Sequence, residues 1–467
     1  MKEIDHEHLE YRQRKPMWKT YRHLYRGGEA LKSHASDYLA RRQKEPAQVY
    51  QERLGQVFYE NYIGSIIDWY VASVFRREPV ILPEGDDPAG RAFLGTFVED
   101  CDMRGTTLTE FFRKALQDSI VFGETHAVLE LPRMKAQAMT RAEEEALGAA
   151  RAYLVRYEPD ELINWSLDER GDYEWVVLRT VRTKQASVSD TRMMEQTRWY
   201  YYDRECFKVY ERDVAQNGIS LGSMPATGAG DIRLVDEGRH ALADVGRVPL
   251  FTMKTAEGMA LMEKASLLQL EHFNKSNALS WALTLGLFAT PVVYTDREWS
   301  QVVGEAYYIQ LGPNDKFGWT EPEGKVYQIA ADNLNRLKEE IYRVCYLLTQ
   351  AGGPSTAQSG LSKQRDFAVT QHVLRAYGDW VKDWSKRILR DVILVRKDRI
   401  AVNVTGLDEF DLGDFTTDVG DAERLLKLGI TSQTMDREVK KRLAFQYLSD
   451  LGQGTKERIG LEIEGGL

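Results

Sequence analysis

A chain of 467 residues is long enough for two to four domain-sized units. With 43% apolar and 28% charged residues it has the composition of a folded protein, which excludes a mostly disordered one. A formal charge of −9 argues against a protein that coats DNA, which would be basic.

Met1 to Glu10 is charged rather than apolar, so no secretory signal is expected there. Between Tyr11 and Lys44, ten Lys/Arg stand against only Glu29 and Asp37, a net of +8, so the remainder carries −17. This block reads as a solvated helix face; contact with nucleic acid or an acidic partner is the sharper alternative. Glu45-Pro46 opens a helix whose apolar stripe is Ile63, Ile66, Ile67, Tyr70, Val71 and Val74, stopped at Glu78-Pro79. Asp87-Pro88 starts a second helix. Thr107 and Glu110 have capping-box spacing for a third, ending near Gly123. A strand follows from Thr125 to Leu131, with His126 read as a core or solvent-facing histidine. Residues 152–248 are dense in Val, Trp and Tyr and read as β-structure, with a loop from Asn217 to Gly230.

The second half is helical in pattern. Ser276 to Thr295 contains no charged residue, a length that would span a bilayer. Asn277, Ser280, Thr284 and Pro291 interrupt it, so a helix covered on all sides by other helices is the better reading. Tyr307 to Ile329 reads as short strands around turns at Gly312-Pro313-Asn314 and Glu321-Pro322-Glu323-Gly324. A helix from Asp332 to Gln350 has Leu334, Leu337, Ile341, Val344 and Leu348 as its apolar face. It halts at Ala351-Gly352-Gly353-Pro354. A polar, uncharged loop then leads into the longest helix, Leu361 to Lys397, about 55 Å at ~1.5 Å per residue. A strand at Ile400 to Val404 and two helices between Asp418 and Ser449 close the fold.

Catalytic patterns are scarce. Gly318 to Lys325 has one residue too many for a phosphate loop, and Val326 stands where Ser/Thr is needed. No HExxH helix occurs. His6-Glu7-His8 lacks a third ligand. Asp408, Asp411, Asp414, Asp418 and Asp421 miss the spacing of a calcium loop and read as an acidic surface segment. Cys101, Cys206 and Cys345 lie far apart, which predicts neither disulfides nor a CxxC metal pair and suits a reducing compartment. No metal or cofactor is expected, and the chain is not expected to be an enzyme.

The element order is more telling: helix, small β insert, returning helix, breaker loop, very long helix. It resembles the portal proteins of tailed bacteriophages, the head-to-tail connector family. Asn61 to Val80, with its Ile66-Ile67-Asp68 core and Phe75-Arg-Arg-Glu-Pro-Val80 exit, looks like the family's early wing helix. Ala115 to Glu130, Tyr157-Glu-Pro-Asp-Glu-Leu-Ile-Asn-Trp165 and Leu428-Gly-Ile-Thr-Ser432 are similar to three further family elements. The resemblance implies an α+β fold in parts. Residues 1–257 would be the wing, 258–290 the first stem helix, 291–331 the clip and 332–351 the second stem helix. Residues 352–362 would be the tunnel loop, 361–397 the long wing helix, 398–417 a wing strand and 418–467 a short crown. It implies a cyclic ring, usually of twelve copies, at one capsid vertex of the virion, assembled in the host cytoplasm. Double-stranded DNA would be packaged and ejected through that ring. Its partners would be the major capsid protein, the terminase large subunit and head-completion or adaptor proteins. Ser355, Thr356, Gln358, Ser359 and Lys363 would face the DNA channel. Tyr307, Tyr308, Phe317 and Trp319 would form the docking edge of the clip. Two readings of other classes stay open: a membrane-anchored channel, from the uncharged run, and a nucleic-acid enzyme, from the basic arm and scattered carboxylates.

Overall fold

The computed structural model describes residues 2–132, 151–187, 190–215, 231–286, 290–295, 315–320, 324–347, 360–407, 415–428, 430–448 and 453–465, with a few single positions between them. The Asn217–Gly230 loop expected from sequence lies outside the described residues. The chain divides into two compact units, one of Met1–Tyr21, Ile67–Met262 and Ala368–Leu467, the other of Arg22–Ile66 and Glu263–Phe367.

In the first unit the helix signals work as local chemistry predicts. The Asp87 side chain accepts from Gly90 N at 3.1 Å, and Pro88 occupies the first turn of its helix, Pro88–Glu99. Thr107 caps Leu108–Phe122 by accepting from Glu110 N, and Gly123 ends it at φ 90°, a conformation that costs glycine nothing. That helix lies against a three-stranded sheet of order β3-β2-β9, with β2 at Glu124–Glu130, β3 at Tyr153–Tyr157 and β9 at Leu250–Lys254. Ser119 Oγ donates to Met253 O at 2.9 Å and fastens the helix to β9. His126 on β2 is buried, with Nδ1 3.1 Å from Thr252 Oγ1.

Residues 162–239 form a five-stranded antiparallel meander. Its strands are β4 Leu162–Leu167, β5 Tyr173–Ser187, β6 Asp190–Asp203, β7 Cys206–Ala215 and β8 Arg233–Arg239. Val128, Tyr157, Leu162, Val176, Leu178, Tyr202 and Leu250 bury themselves in one cluster drawn from this sheet and its three-stranded neighbour. A last antiparallel pair joins distant parts of the chain, β1 Val80–Glu84 with β12 Ala401–Thr405.

Four expectations need correction here. The basic arm is a helix, α1, Leu9–Arg26, but not simply a solvated one. Tyr11 and Trp18 are buried, Trp18 Nε1 donates to Phe122 O at 3.1 Å, and Arg14 pairs with Glu124. The helix opened at Glu45-Pro46 is two helices, Ala47–Gly55 and Tyr62–Val74. Asn61 caps the start of the second: its Oδ1 accepts from Gly64 N (2.9 Å) while its Nδ2 donates to Tyr25 O (2.8 Å). The chain's end holds three helices, Phe415–Lys427, Gln433–Tyr447 and Gln453–Gly465, one more than expected. The uncharged run is not one helix, because its second part enters a strand.

Candidate channel and docking elements

The second unit is built on a hairpin. We label its elements αA, Leu261–Gly286; β10, Thr290–Tyr294; β11, Lys316–Thr320; and αB, Gly324–Val344. Chain contacts along it keep one antiparallel register. Lys264 Nζ meets the Tyr346 hydroxyl and sits 4.5 Å from that ring's centre, Lys275 Nζ meets Asn333 Oδ1 at 3.0 Å, and Tyr327 donates to Ala282 O at 3.3 Å. The strand pairs Thr290–Thr320 through Tyr294–Lys316 continue that register to the tip. Thus αA spans about 39 Å at ~1.5 Å per residue, and the five-residue strands add about 17 Å at ~3.4 Å per residue.

Polar side chains on αA anchor the hairpin to residues 38–63. Gln269 is fully buried; its Oε1 accepts from Ile63 N (3.2 Å) and its Nε2 donates to Glu60 O (2.8 Å). Asn274 accepts from Ala40 N (2.8 Å) and donates to Tyr38 O (3.1 Å). Asn277 accepts from Phe58 N (3.1 Å) and donates to Phe58 O (3.0 Å). Each amide therefore satisfies main-chain groups that would otherwise be costly to leave unpaired. His272 stands edge-on to Tyr62 at 5.1 Å, and burial holds its imidazole below the ordinary range, the nearby Glu60 carboxylate opposing this only in part. Opposite these anchors, Gly27 (φ 57°) lets the chain pass so close that an added Cβ would lie 3.0 Å from Asn61 Nδ2.

αB begins at Gly324 and ends at Val344, both earlier than the expected Asp332 and Gln350. The early start is held by the Tyr327 bond to αA. The early end follows from Tyr346 at φ 63°, with Leu347 N bonded back to Tyr342 O at 2.9 Å. Leu337 and Ile341 are buried as expected, and Leu334 and Val344 half-buried; Leu348 lies outside the described residues. Cys345 follows in the core, where burial pushes its thiol up to about 12, so it is an inert packing residue.

Large apolar side chains stay exposed along the hairpin: Leu267 at 76%, Val326 at 64%, Ile329 at 60% and Tyr294 at 64%. The expectation that αA is covered on all sides is therefore not met within one chain. No helix among the described residues is long and apolar enough to cross a membrane.

Of the docking candidates, Phe317 and Trp319 fall on β11, in register with Val293 and Pro291 of β10. Tyr307 and Tyr308 lie outside the described residues. So do Ser355, Thr356, Gln358 and Ser359. Lys363 falls in the first turn of αC, Gly360–Arg396, a 37-residue helix that matches the expected one within a residue at each end.

One of the weaker chemical patterns is taken up by packing. Glu7 bonds Lys15 (2.8 Å) and Arg179 (2.9 Å), and His8 stacks on Trp165 at 4.1 Å. No group of three potential metal ligands occurs among the described residues. Asp408, Asp411 and Asp414 lie outside them. Gly218-Ile-Ser-Leu-Gly222 has the spacing of a serine nucleophile elbow but also lies outside them. The flanking β7 and β8 pair with each other. The anchoring amides of αA were missed by sequence reasoning; their only trace was the polarity of an otherwise uncharged run.

No family model matches the chain, and no curated protein matches it. Three chains in solved particle structures are similar to it. One, from the neck of an empty gene transfer agent (GTA) particle computed with C6 symmetry, is 12% identical, with a TM-score of 0.42 over 81% of this chain and 90% of that one. Another, from the virion of a native GTA particle, is 12% identical, with a TM-score of 0.40 over 87% and 96%. A third, from the neck of a native GTA particle computed with C12 symmetry, is 10% identical, with a TM-score of 0.37 over 82% and 90%.

Proposed function

We propose that this chain is the repeating subunit of a portal ring, a non-enzymatic channel at one capsid vertex through which double-stranded DNA is packaged and ejected. The observation that carries the reading is the hairpin: two long helices and a strand pair in one register, with large apolar side chains exposed on both helices and on β10. Such a surface on one chain calls for a partner surface. A contact between unlike faces that repeats must close into a ring or run on as a filament. In this reading Leu267, Val326 and Ile329 are covered by the neighbouring copy, and the β10–β11 tip presents Phe317 and Trp319, with Tyr307 and Tyr308 nearby in sequence, to the terminase and later to head-completion proteins. Ser355, Thr356, Gln358 and Ser359 touch the DNA backbone without reading bases. Lys363, at the N-terminal end of αC, meets a phosphate where the helix dipole also favours negative charge.

Mass measurement of the purified chain, paired with negative-stain imaging, tests the ring. Twelve copies of 53.6 kDa come to about 643 kDa. A closed ring with a central hole is expected; monomers and dimers alone at micromolar concentration would sink the proposal.

A further inference from the structure

A cavity of about 690 Å³ opens in the first unit between β9, the β4–β5 turn and the later part of αC. Leu250, Phe251, Thr252 and Met253, four consecutive residues of β9, line it. Side chains of a strand alternate between its two faces, so a cavity that meets four in a row lies along the strand's edge. Among the described residues β9 is the outer strand of its sheet and pairs only with β2. Leu129 N bonds Pro249 O and Thr255 N bonds Gly123 O, each at 3.0 Å, which fixes the phase of that ladder. Residues 249, 251, 253 and 255 therefore turn toward β2, and Leu250 and Thr252 turn their N–H and C=O groups to the open edge.

The facing wall is one stripe of αC: Trp384, Arg387, Ile388 and Asp391, at the i, i+3, i+4, i+7 positions of a helix. Asp391 is 1% exposed. Its Oδ1 accepts from Arg247 at 2.8 Å, and its Oδ2 is buried with no hydrogen-bond partner among the described residues. A buried carboxylate oxygen without a donor is costly, and a ligand that brings an N–H relieves it. The rim is cationic on balance: Arg170, Arg387 and Arg390 are exposed around it, Arg390 with its Nε 3.7 Å from Asp391 Oδ1, against one exposed carboxylate, Asp172, while Asp168 is already paired with Arg204 at 2.5 Å.

We propose that this edge takes up an extended, acidic segment of a partner polypeptide, which adds as a fourth strand beside β9. The incoming strand's main chain completes the ladder at Leu250 and Thr252. One of its N–H groups reaches Asp391 Oδ2, its carboxylates meet Arg387 and Arg390 on the rim, and its apolar side chains rest on Trp384 and Ile388. A nucleic-acid backbone would satisfy the arginines, but it brings neither a ladder for β9 nor a donor for Asp391, so the peptide fits better. The inference does not depend on the ring.

The test uses the full-length protein and three probes: a labelled peptide alternating Glu and Val, the same peptide with Lys for Glu, and a short DNA duplex. The Glu peptide is expected to bind and to slow hydrogen exchange at the Leu250 and Thr252 amides, while Phe251 and Met253, already bonded to β2, stay unchanged. The variant Arg387→Glu, whose side chain is exposed and whose Tm should match the parent's, is expected to bind it at least about fivefold more weakly. Failure of the Glu peptide to bind overturns the proposal, as does equal binding of the Lys peptide, displacement by the duplex, or binding that leaves Leu250 and Thr252 unprotected. Protection of both amides before any peptide is added also overturns it, because a second copy would then hold the edge.

Discussion

Asn277 shows how much one side chain can hold: it ties both main-chain groups of Phe58 and also donates to Phe273 O at 2.7 Å. Asn277→Ala should leave the Phe58 groups without partners and cost about 1–3 kcal/mol. The expected readout is faster hydrogen exchange at the Phe58 amide, and unchanged exchange there would refute the anchoring role. His126 gives a pH prediction. Burial holds its imidazole down to about 4, against 6.5 when unfolded. Above pH 6.5 both states are neutral. Below it the unfolded state takes up the proton first, so stability is lost as pH falls from 6.5 to about 4, by about 3 kcal/mol in all. His126→Gln keeps a hydrogen-bonding group beside Thr252, and its Tm should fall less between pH 7 and pH 5 than the parent's; parallel curves would count against this. Legibility at this scale depends on range. Asp87, Thr107 and Gly123 act on residues three or four positions away, so their roles could be read from spacing. Asn277 acts on a residue 219 positions away, and no local pattern reports such a partner.

The hairpin elements carry the functional reading, and two changes test it. Val326→Glu with Ile329→Glu alters only exposed positions, so the fold should persist while rings fail to form, checked by mass in solution and by far-UV circular dichroism. Intact rings in this variant would mean that Val326 and Ile329 are not a subunit contact. If the proposed channel holds, Gln358→Asp with Ser359→Asp should leave rings intact and slow DNA packaging, by adding negative charge where phosphates would pass. Packaging at the parent's rate would remove those residues from the channel. The 37-residue helix αC was legible because a periodic pattern of that length has no competing reading, and a breaker stands before it. β10 was not. Thr290-Pro-Val-Val-Tyr294 closes a run of twenty uncharged residues, and periodicity alone cannot divide a short apolar strand from the helix that precedes it. The αB start at Gly324 was hidden by Glu321-Pro-Glu-Gly324, which reads as a turn although the helix begins at its last residue.

At the scale of the whole molecule, charge sets an expectation for DNA. Each copy carries −9, so the proposed ring would multiply a field that repels phosphate, and transit rather than capture is its expected behaviour. A labelled duplex titrated with purified rings at about 0.15 M salt should show no tight binding; firm, salt-sensitive binding would contradict a channel built for passage. The two-unit division was only partly legible, since residues 22–66 belong with the hairpin although they precede most of the first unit in sequence. The single register that runs from Lys264 and Tyr346 down to Tyr294 and Lys316 has a consequence for how this protein can change over time. An insertion in αA alone would slide every partner below it past its mate, breaking the Lys275–Asn333 contact and every strand pair at once. Only matched insertions, one in each arm, preserve the fit. The reach of the hairpin is thus a quantity that two distant stretches of sequence must alter together, and lineages with longer or shorter hairpins should differ by equal lengths on both sides of the tip.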